Sequence, residues 1–331
     1  MLSTPNRSLR WTRGGARWAP RLVLLVLSSA WGLVGWGGDE SLAGLLATHL
    51  PAGLYVAFAL VALLGFACAP SSASALAAVL SLLLALVPLG GFTLPTASSP
   101  AQAPHRVLTY NVEQWSHGGD RVAAVIARAA PDVFCLQEAG RYEGPDPDSD
   151  WSVLREALPG YQLVRQGEVV IGTRWPVQGE RRIALPVGPR SRPLLEVMLQ
   201  TPEGGLLRVL TAHLVYAGYY GRRPAALALS ARGRRAQAER ILEHLRAGPE
   251  LPTILCGDLN APPNSAVLSA LRTRLEDAWR LRGHGFGMTT SASWPVRRID
   301  YLLVGGVHIG EIEVNPERAS DHRALCATFS L

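Results

Sequence analysis

From Ser41 to His105 the chain carries no Asp, Glu, Lys or Arg. A water-soluble domain has no use for so long an uncharged stretch, whereas one bilayer crossing needs only ~20 apolar residues. Pro70, Ser71 and Ser72 interrupt the stretch, so two spanning helices are expected, over 51–69 and 73–94. Upstream, 22–37 is a third apolar run, with Arg17 and Arg21 on one flank and Asp39 and Glu40 on the other. A cleaved signal peptide would have an apolar core of about 7 to 15 residues and a small-residue cleavage site. The Gly37-Gly38-Asp39-Glu40 sequence does not supply that site, so the first span is expected to be retained. The arm formed by residues 1–21 holds five Arg and no acid, and the positive-inside tendency keeps such an arm cytoplasmic. Three crossings then leave residue 105 on the far side, whereas two would return it. Residues 95–104, rich in Pro, Ala and Ser, have the composition of an extended linker.

The rest of the chain, 105–331, is a different kind of polymer. Short apolar runs alternate with helix-like segments and Gly/Pro turns, which predicts a mixed α and β domain. Its charge is nearly balanced: it has 27 Arg against 24 acids, and the formal net charge of +6 is shared equally with residues 1–100. The dense basic footprint of a dedicated DNA binder is therefore absent from the composition. Cys68, Cys135, Cys256 and Cys326 show no metal-ligand spacing, and the last three sit in short apolar runs, where a free Cys acts as a small core residue.

Several of these runs end in a polar residue that strand packing does not require. Arg106–Tyr110 leads to Asn111, Val133–Gln137 to Glu138, Arg208–Ala212 to His213, and Thr253–Gly257 to Asp258, with Asn260 two positions on. In an extended segment, positions i and i+2 face the same way, so Asp258 and Asn260 are expected to address one site. Asp300 opens an apolar run, and Asp321 and His322 precede another, Ala324–Phe329. Each alone has a structural explanation, such as a turn cap or a satisfied histidine. Together, carboxylates, amides and two histidines form an oxygen-rich set suited to a hard cation, with imidazoles left for anionic oxygens.

The blocks Tyr110-Asn111-Val112, Leu136-Gln137-Glu138, Ala212-His213-Leu214, Gly257-Asp258-Leu259-Asn260, Ile299-Asp300-Tyr301 and Ser320-Asp321-His322 resemble, in order, the motif set of the endonuclease/exonuclease/phosphatase superfamily. Gly172–Pro176 resembles a weaker block of the same set. The resemblance covers 105–331 and implies an α/β fold, a four-layered αββα sandwich of two mixed sheets. It implies that Glu138 binds Mg2+ or Mn2+, with Asn111 as ligand or phosphate contact and Asp321 joining the metal site. Asp258 would orient and deprotonate the attacking water, and Asn260 would hold that water or a phosphate oxygen. His213 and His322 would face the phosphate, with Asp300 fixing the tautomer of His322, while Glu113 stands where some nucleases carry a further acid.

One basic segment, Gly221–Ala247, has seven Arg against two acids. It reads as an amphipathic helix over 227–245, with Leu227, Ile241, Leu242 and Leu245 inward and the Arg side chains solvated; Arg222 and Arg223 in the preceding loop are the exceptions that could read phosphate. The expected protein is thus a membrane-tethered, divalent-metal-dependent phosphoesterase with its catalytic domain outside the cytoplasm. Its partners are the bilayer and a phosphate ester that is small, lipid-linked or a nucleic acid. An extracellular nuclease acting on DNA or RNA is the main alternative, and a binding module that has lost the chemistry is the rival of another class. The second would show a missing catalytic residue, and every block is intact.

Overall fold

In a computed structural model, residues 7–37, 41–96, 103–140, 148–187 and 192–331 are described. The start of the Arg-rich arm, Asp39, Glu40 and most of the 95–104 segment lie outside them. The chain divides into two compact units, Met1–Phe92 and Thr93–Leu331.

The first unit is helical: α1 (Arg7–Gly37), α2 (Leu42–His49), α3 (Ala52–Cys68) and α4 (Ser72–Leu84), the last continued by a π-helical turn over Ala85–Leu89. Two helical stretches, Gly15–Gly35 and Ser72–Leu89, are long and apolar enough to cross a membrane. A third crossing requires α3, which is 17 residues long and follows α2 at a bend of 88°. The break at residues 70–72 is where the sequence placed it, and Ser71 caps α4 by accepting the Ser74 N–H. The helix α1 starts well upstream of residue 22, at Arg7, and continues through Pro20. Small residues allow α1 and α3 to pack closely. A Cβ at Gly65 would come within 2.9 Å of the Ala19 Cβ, and Ala59 and Ala62 on the same helix are fully buried.

The second unit begins with β1 (His105–Asn111), α5 (Gly119–Ala129), β2 (Val133–Gln137) and α6 (Asp148–Ala157). Strands β3 (Gln162–Gln166), β4 (Val169–Thr173), β5 (Val177–Ile183), β6 (Leu194–Gln200) and β7 (Leu206–His213) follow. Next come α7 (Pro224–Ala247), β8 (Thr253–Asp258), α8 (Ala266–Leu271), β9 (Glu276–Asp277) and α9 (Ala278–Arg282). The unit ends with β10 (Asp300–Gly305), β11 (His308–Val314) and β12 (Leu325–Ser330). Two six-stranded sheets result, ordered β11-β12-β1-β2-β4-β3 and β5-β6-β7-β8-β10-β9. Each is mixed, with β1–β2 parallel in the first and β7–β8 parallel in the second.

These central strands are apolar on both faces because both faces are covered. Val107, Val133 and Cys135 point into the gap between the sheets, where they meet Val209, Ile254, Cys256 and Leu302. Leu108, Phe134 and Leu136 point outward against Val122, Ile126 and Leu154 of α5 and α6. On the far side Leu210, Leu255 and Leu303 pack against Ile241, Leu242 and Leu245 of α7 and Val267 and Leu268 of α8. The domain is therefore the four-layered αββα sandwich.

The helix α7 departs from its sequence reading in one respect. Arg234 is fully buried rather than solvated, its guanidinium donating to the Val215 carbonyl, while Leu227 is only half-buried. The helix presses the loop after β7 with polar as well as apolar residues: Gln237 accepts the Val215 N–H at 3.0 Å. All four cysteines are free, and Cys135 and Cys256 are buried, as expected for core residues.

Gly257 is the position where side-chain absence matters most. Its φ is 151°, and a Cβ would lie 2.0 Å from the Ala212 carbonyl oxygen, so the parallel β7–β8 pairing tolerates no side chain there. Gly257→Ala is expected to cost about 1–3 kcal/mol through backbone strain and overpacking. Thermal melting of the variant checks this, and an unchanged melting temperature would show that the strands accommodate the methyl group.

Candidate active site

The functional side chains are the last inward-facing positions of their strands. Along β7 the inward series is Leu207, Val209, Thr211, His213; along β8 it is Ile254, Cys256, Asp258; β10 begins at Asp300. The pairing register sets His213 opposite Asp258 and Asp258 opposite Asp300, so three functional groups stand in one row on one face. In the first sheet Asn111 pairs with Gln137, the residue before Glu138. Just beneath the row, the Gln137 amide donates to Thr109 at 3.2 Å and across the gap to Thr211 at 3.0 Å. The core thus turns polar one layer before the site.

Asp258 occupies the centre. Its Oδ2 accepts from Asn111 Nδ2 at 3.0 Å and lies 3.7 Å from His213 Nε2 and 3.8 Å from His322 Nε2. Each imidazole is fixed from behind by a carboxylate: His322 Nδ1 meets Asp300 at 2.8 Å, and His213 Nδ1 meets Glu168 at 2.6 Å. This is the arrangement that orients a ring and selects its tautomer. Burial and the neighbouring Asp300 raise the Asp258 pKa, with the two imidazoles working the other way. Burial also works against a charged His322, yet Asp300, with Asp258 and Asp321 beyond it, prevails and pushes its pKa up to about 10.

Asn111 joins the central carboxylate to Glu138. Its side-chain nitrogen donates to Asp258 and, at 3.1 Å, to Glu138, while its oxygen accepts the Glu113 N–H at 3.0 Å. Two acceptors on one end and a donor on the other fix the amide orientation. Glu138 leaves the strand with a φ of 53°, a left-handed conformation rare outside glycine and typical of functional positions. Asp321 is half exposed; partial desolvation of its carboxyl group raises the pKa and Glu113 and Glu138 add to the rise, while His322 and Ser320 oppose it.

Asn260 corrects the expectation of an extended segment. The strand stops at Asp258, and Asn260 has a φ of 48°. Its side-chain nitrogen donates to the Leu214 carbonyl at 3.0 Å and its N–H to Asp258 at 2.8 Å. It buttresses Asp258 through the turn rather than lying beside it on the strand, which leaves the amide oxygen as its outward group.

Glu168 is the participant that the sequence reading missed. It is buried, ion-paired with Arg192 at 2.8 Å, and directly precedes β4. The other polar residues were found where apolar runs end. Because β4 runs antiparallel to β2, its beginning lies at the same sheet edge as the end of β2. The usable signal was a Glu heading the wholly apolar Val169–Ile171 directly after Gly167.

Two groups of donors fit a divalent cation chemically. Asp258, Asp300 and His322 have ligand atoms within 4.8 Å of one another, the one such group among the described residues. A protonated His322 has no lone pair to offer, however, and its Nδ1 is committed to Asp300. Glu113, Glu138 and Asp321 are a looser set but wholly oxygen, which suits a hard cation.

In protein stripped of divalent cations by a chelator, His322 is expected to keep its proton through neutrality. Since the folded pKa lies above the ordinary 6.5, its contribution to stability is complete below about 6.5 and is lost as pH rises through about 10. The His322 ring resonances should therefore stay flat in an NMR titration across neutral pH. A midpoint near the ordinary value would mean that Asp300 does not hold the charge.

The sequence profile of the Endonuclease/Exonuclease/phosphatase family matches residues 108–322. Among solved structures, an endonuclease/exonuclease/phosphatase from Beutenbergia cavernae is similar at 26% identity and a TM-score of 0.55, covering 69% of this chain and 71% of its own. A mannosyl-6-phosphatase from Bacteroides thetaiotaomicron is 17% identical with a TM-score of 0.57, covering 69% of this chain and 100% of its own. The D. rerio TDP2 bound to a single-strand DNA product is 19% identical with a TM-score of 0.56, covering 69% and 99%. At those identities the last two share the fold. A comparison with curated protein sequences finds no match.

Proposed function

The chain belongs to the endonuclease/exonuclease/phosphatase family of ester-bond hydrolases, and we propose that residues 105–331 hydrolyse a phosphate ester with a divalent cation while the preceding helices tether them to a membrane.

The observation that carries this reading is the buried Asp258 carboxylate between two imidazoles, each backed by a second carboxylate. An aspartate held above its usual pKa is a better base, so Asp258 orients a water and takes its proton as the water oxygen attacks phosphorus. His213 and His322 direct N–H groups at the non-bridging oxygens, where negative charge builds up. Asp300 and Glu168 keep those rings turned outward. Asn111 holds Glu138 and Asp258 at a fixed separation, and the Asn260 oxygen is available to the water or to a phosphate oxygen.

Glu138 and Asp321, with Asn111 and Glu113 beside them, would hold Mg2+ or Mn2+. When bound, such an ion supplies positive charge to the phosphate oxygens. The substrate is a small or lipid-linked ester rather than duplex DNA, in keeping with the nearly balanced charge of this region.

Metal titration and turnover test the roles together. Glu138→Gln should weaken the affinity for Mg2+ about tenfold or more, raising the Mg2+ concentration needed for half-maximal turnover. Asp258→Asn and His322→Ala should lower kcat at least a hundredfold with the fold intact by circular dichroism. Full turnover by Glu138→Gln at unchanged metal affinity would move the cation to Asp258 and Asp300. Duplex DNA cleaved much faster than small and lipid-linked esters at physiological salt would make the enzyme a nuclease.

For the tether, we read α1, the bent α2–α3 pair and the helix ending at Leu89 as three crossings, with the Arg-rich arm cytoplasmic; the reading is supported by their apolar composition. A reporter joined after Leu331 that functions only outside the cytoplasm should then be active. A folded but silent fusion would mean an even number of crossings.

A further inference from the structure

Trp294 is the most exposed large apolar side chain described in the catalytic unit, at 79%. It sits on a narrow strap, residues 290–297, closed on itself where the Val296 and Arg297 N–H groups both donate to the Thr290 carbonyl. The strap is sewn to the segment that carries Asp321 and His322. Ala292 N–H donates to the Asp321 carbonyl at 2.6 Å, Arg323 N–H to Thr289 at 2.8 Å, and the Arg323 guanidinium to the Ala292 carbonyl at 2.9 Å; Thr290 and His322 also form a β-bridge. An exposed indole is therefore held two residues from a backbone bond to the site, on a support with little freedom.

The other imidazole has a similar neighbour. Directly after His213–Val215 the chain makes a loop in which Tyr216, Tyr219 and Tyr220 stack edge to face, with ring centroids 6.0 and 4.9 Å apart. Tyr216 is 50% exposed and Tyr220 42%. Large aromatic faces left in water beside a polar catalytic pocket favour a partner that is itself apolar.

We propose that Trp294 and the Tyr216–Tyr220 loop, each joined by the chain or by backbone bonds to the neighbourhood of one imidazole, bind the group esterified to the phosphate, and that this group is an aliphatic chain. The inference rests on the phosphoesterase reading above and adds the substrate class. Two observations select an aliphatic chain over a nucleic-acid base. The region carries 27 Arg against 24 acids, too even a balance for a polyanion. The chain is also continuous with helices of bilayer-spanning composition, and tryptophan is the residue most at home where lipid meets water.

The test uses the full-length enzyme in nanodiscs, with wild type, Trp294→Ala and Trp294→Phe compared on ethyl phosphate, dodecyl phosphate and thymidine 5′-phosphate. Wild-type kcat/KM should be highest for dodecyl phosphate. Trp294→Ala should lose about tenfold on dodecyl phosphate and under about twofold on ethyl phosphate, with Trp294→Phe recovering most of the loss. Equal losses on all three esters, or none on dodecyl phosphate, would overturn the assignment while leaving the phosphoesterase reading standing. A loss confined to thymidine 5′-phosphate would overturn it in favour of base stacking. A wild type inactive on every ester, with Mg2+ or Mn2+ present, would overturn the phosphoesterase reading and this inference with it.

Discussion

Two sheets packed face to face share one gap, and everything in this domain depends on how that gap changes in character from one end to the other. Side chains alternate along a strand, so each central strand sends every second residue into the gap. At one end those residues are Val107, Val133, Val209 and Ile254; a layer further on they are Thr109, Cys135, Thr211 and Cys256; at the rim they are Asn111, His213, Asp258 and Asp300. The apolar layers hold the sheets together by burial, and the hydrogen bonds of Gln137 to Thr109 and Thr211 carry the transition. A buried carboxylate such as Asp258 is tolerable because polar groups already surround it.

The two imidazoles have been given equivalent support but different surroundings. His322 has three carboxylates acting on it, Asp300, Asp258 and Asp321, which together overcome its burial. His213 has Glu168 behind it, but Arg192 shares that carboxylate. His213 Nε2 also lies 3.7 Å from both Glu138 and Asp258, so each ring has three carboxylates around it, and what sets His213 apart is the Arg192 guanidinium behind Glu168.

Much of this was legible in the sequence because the side chains of the candidate site violate strand patterning. A polar residue closing an apolar run has no packing reason to be there, and Asn111, Glu138, His213 and Asp258 were found that way. Glu168 escaped because its strand runs in the opposite sense, so its place at the site depends on a strand pairing that no local pattern encodes. Asn260 was located but its geometry was not, since the chain turns left-handed immediately after Asp258. Arg234 was read as solvated because charge predicts exposure; only the tertiary contact with the Val215 carbonyl gives it a reason to be buried. The uncharged segment showed where apolar helices lie, while the start of α1 and the end of the last helix differ from the expected bounds by several residues.

Three of the hydrogen bonds at the rim share a property that none shows alone: each crosses from the side of one sheet to the side of the other. Asn111 and Asp258 belong to different sheets; His213 of the second sheet bonds Glu168 beside β4 of the first, and Asp300 of the second bonds His322 between β11 and β12 of the first. The width of the gap thus bears directly on the aim of both rings, because these hydrogen bonds form only within a limited range of distance and angle. The sandwich acts as a caliper. A change of one methylene in the buried layers would act on the jaw opening, so that core packing bears on how the candidate site is aimed.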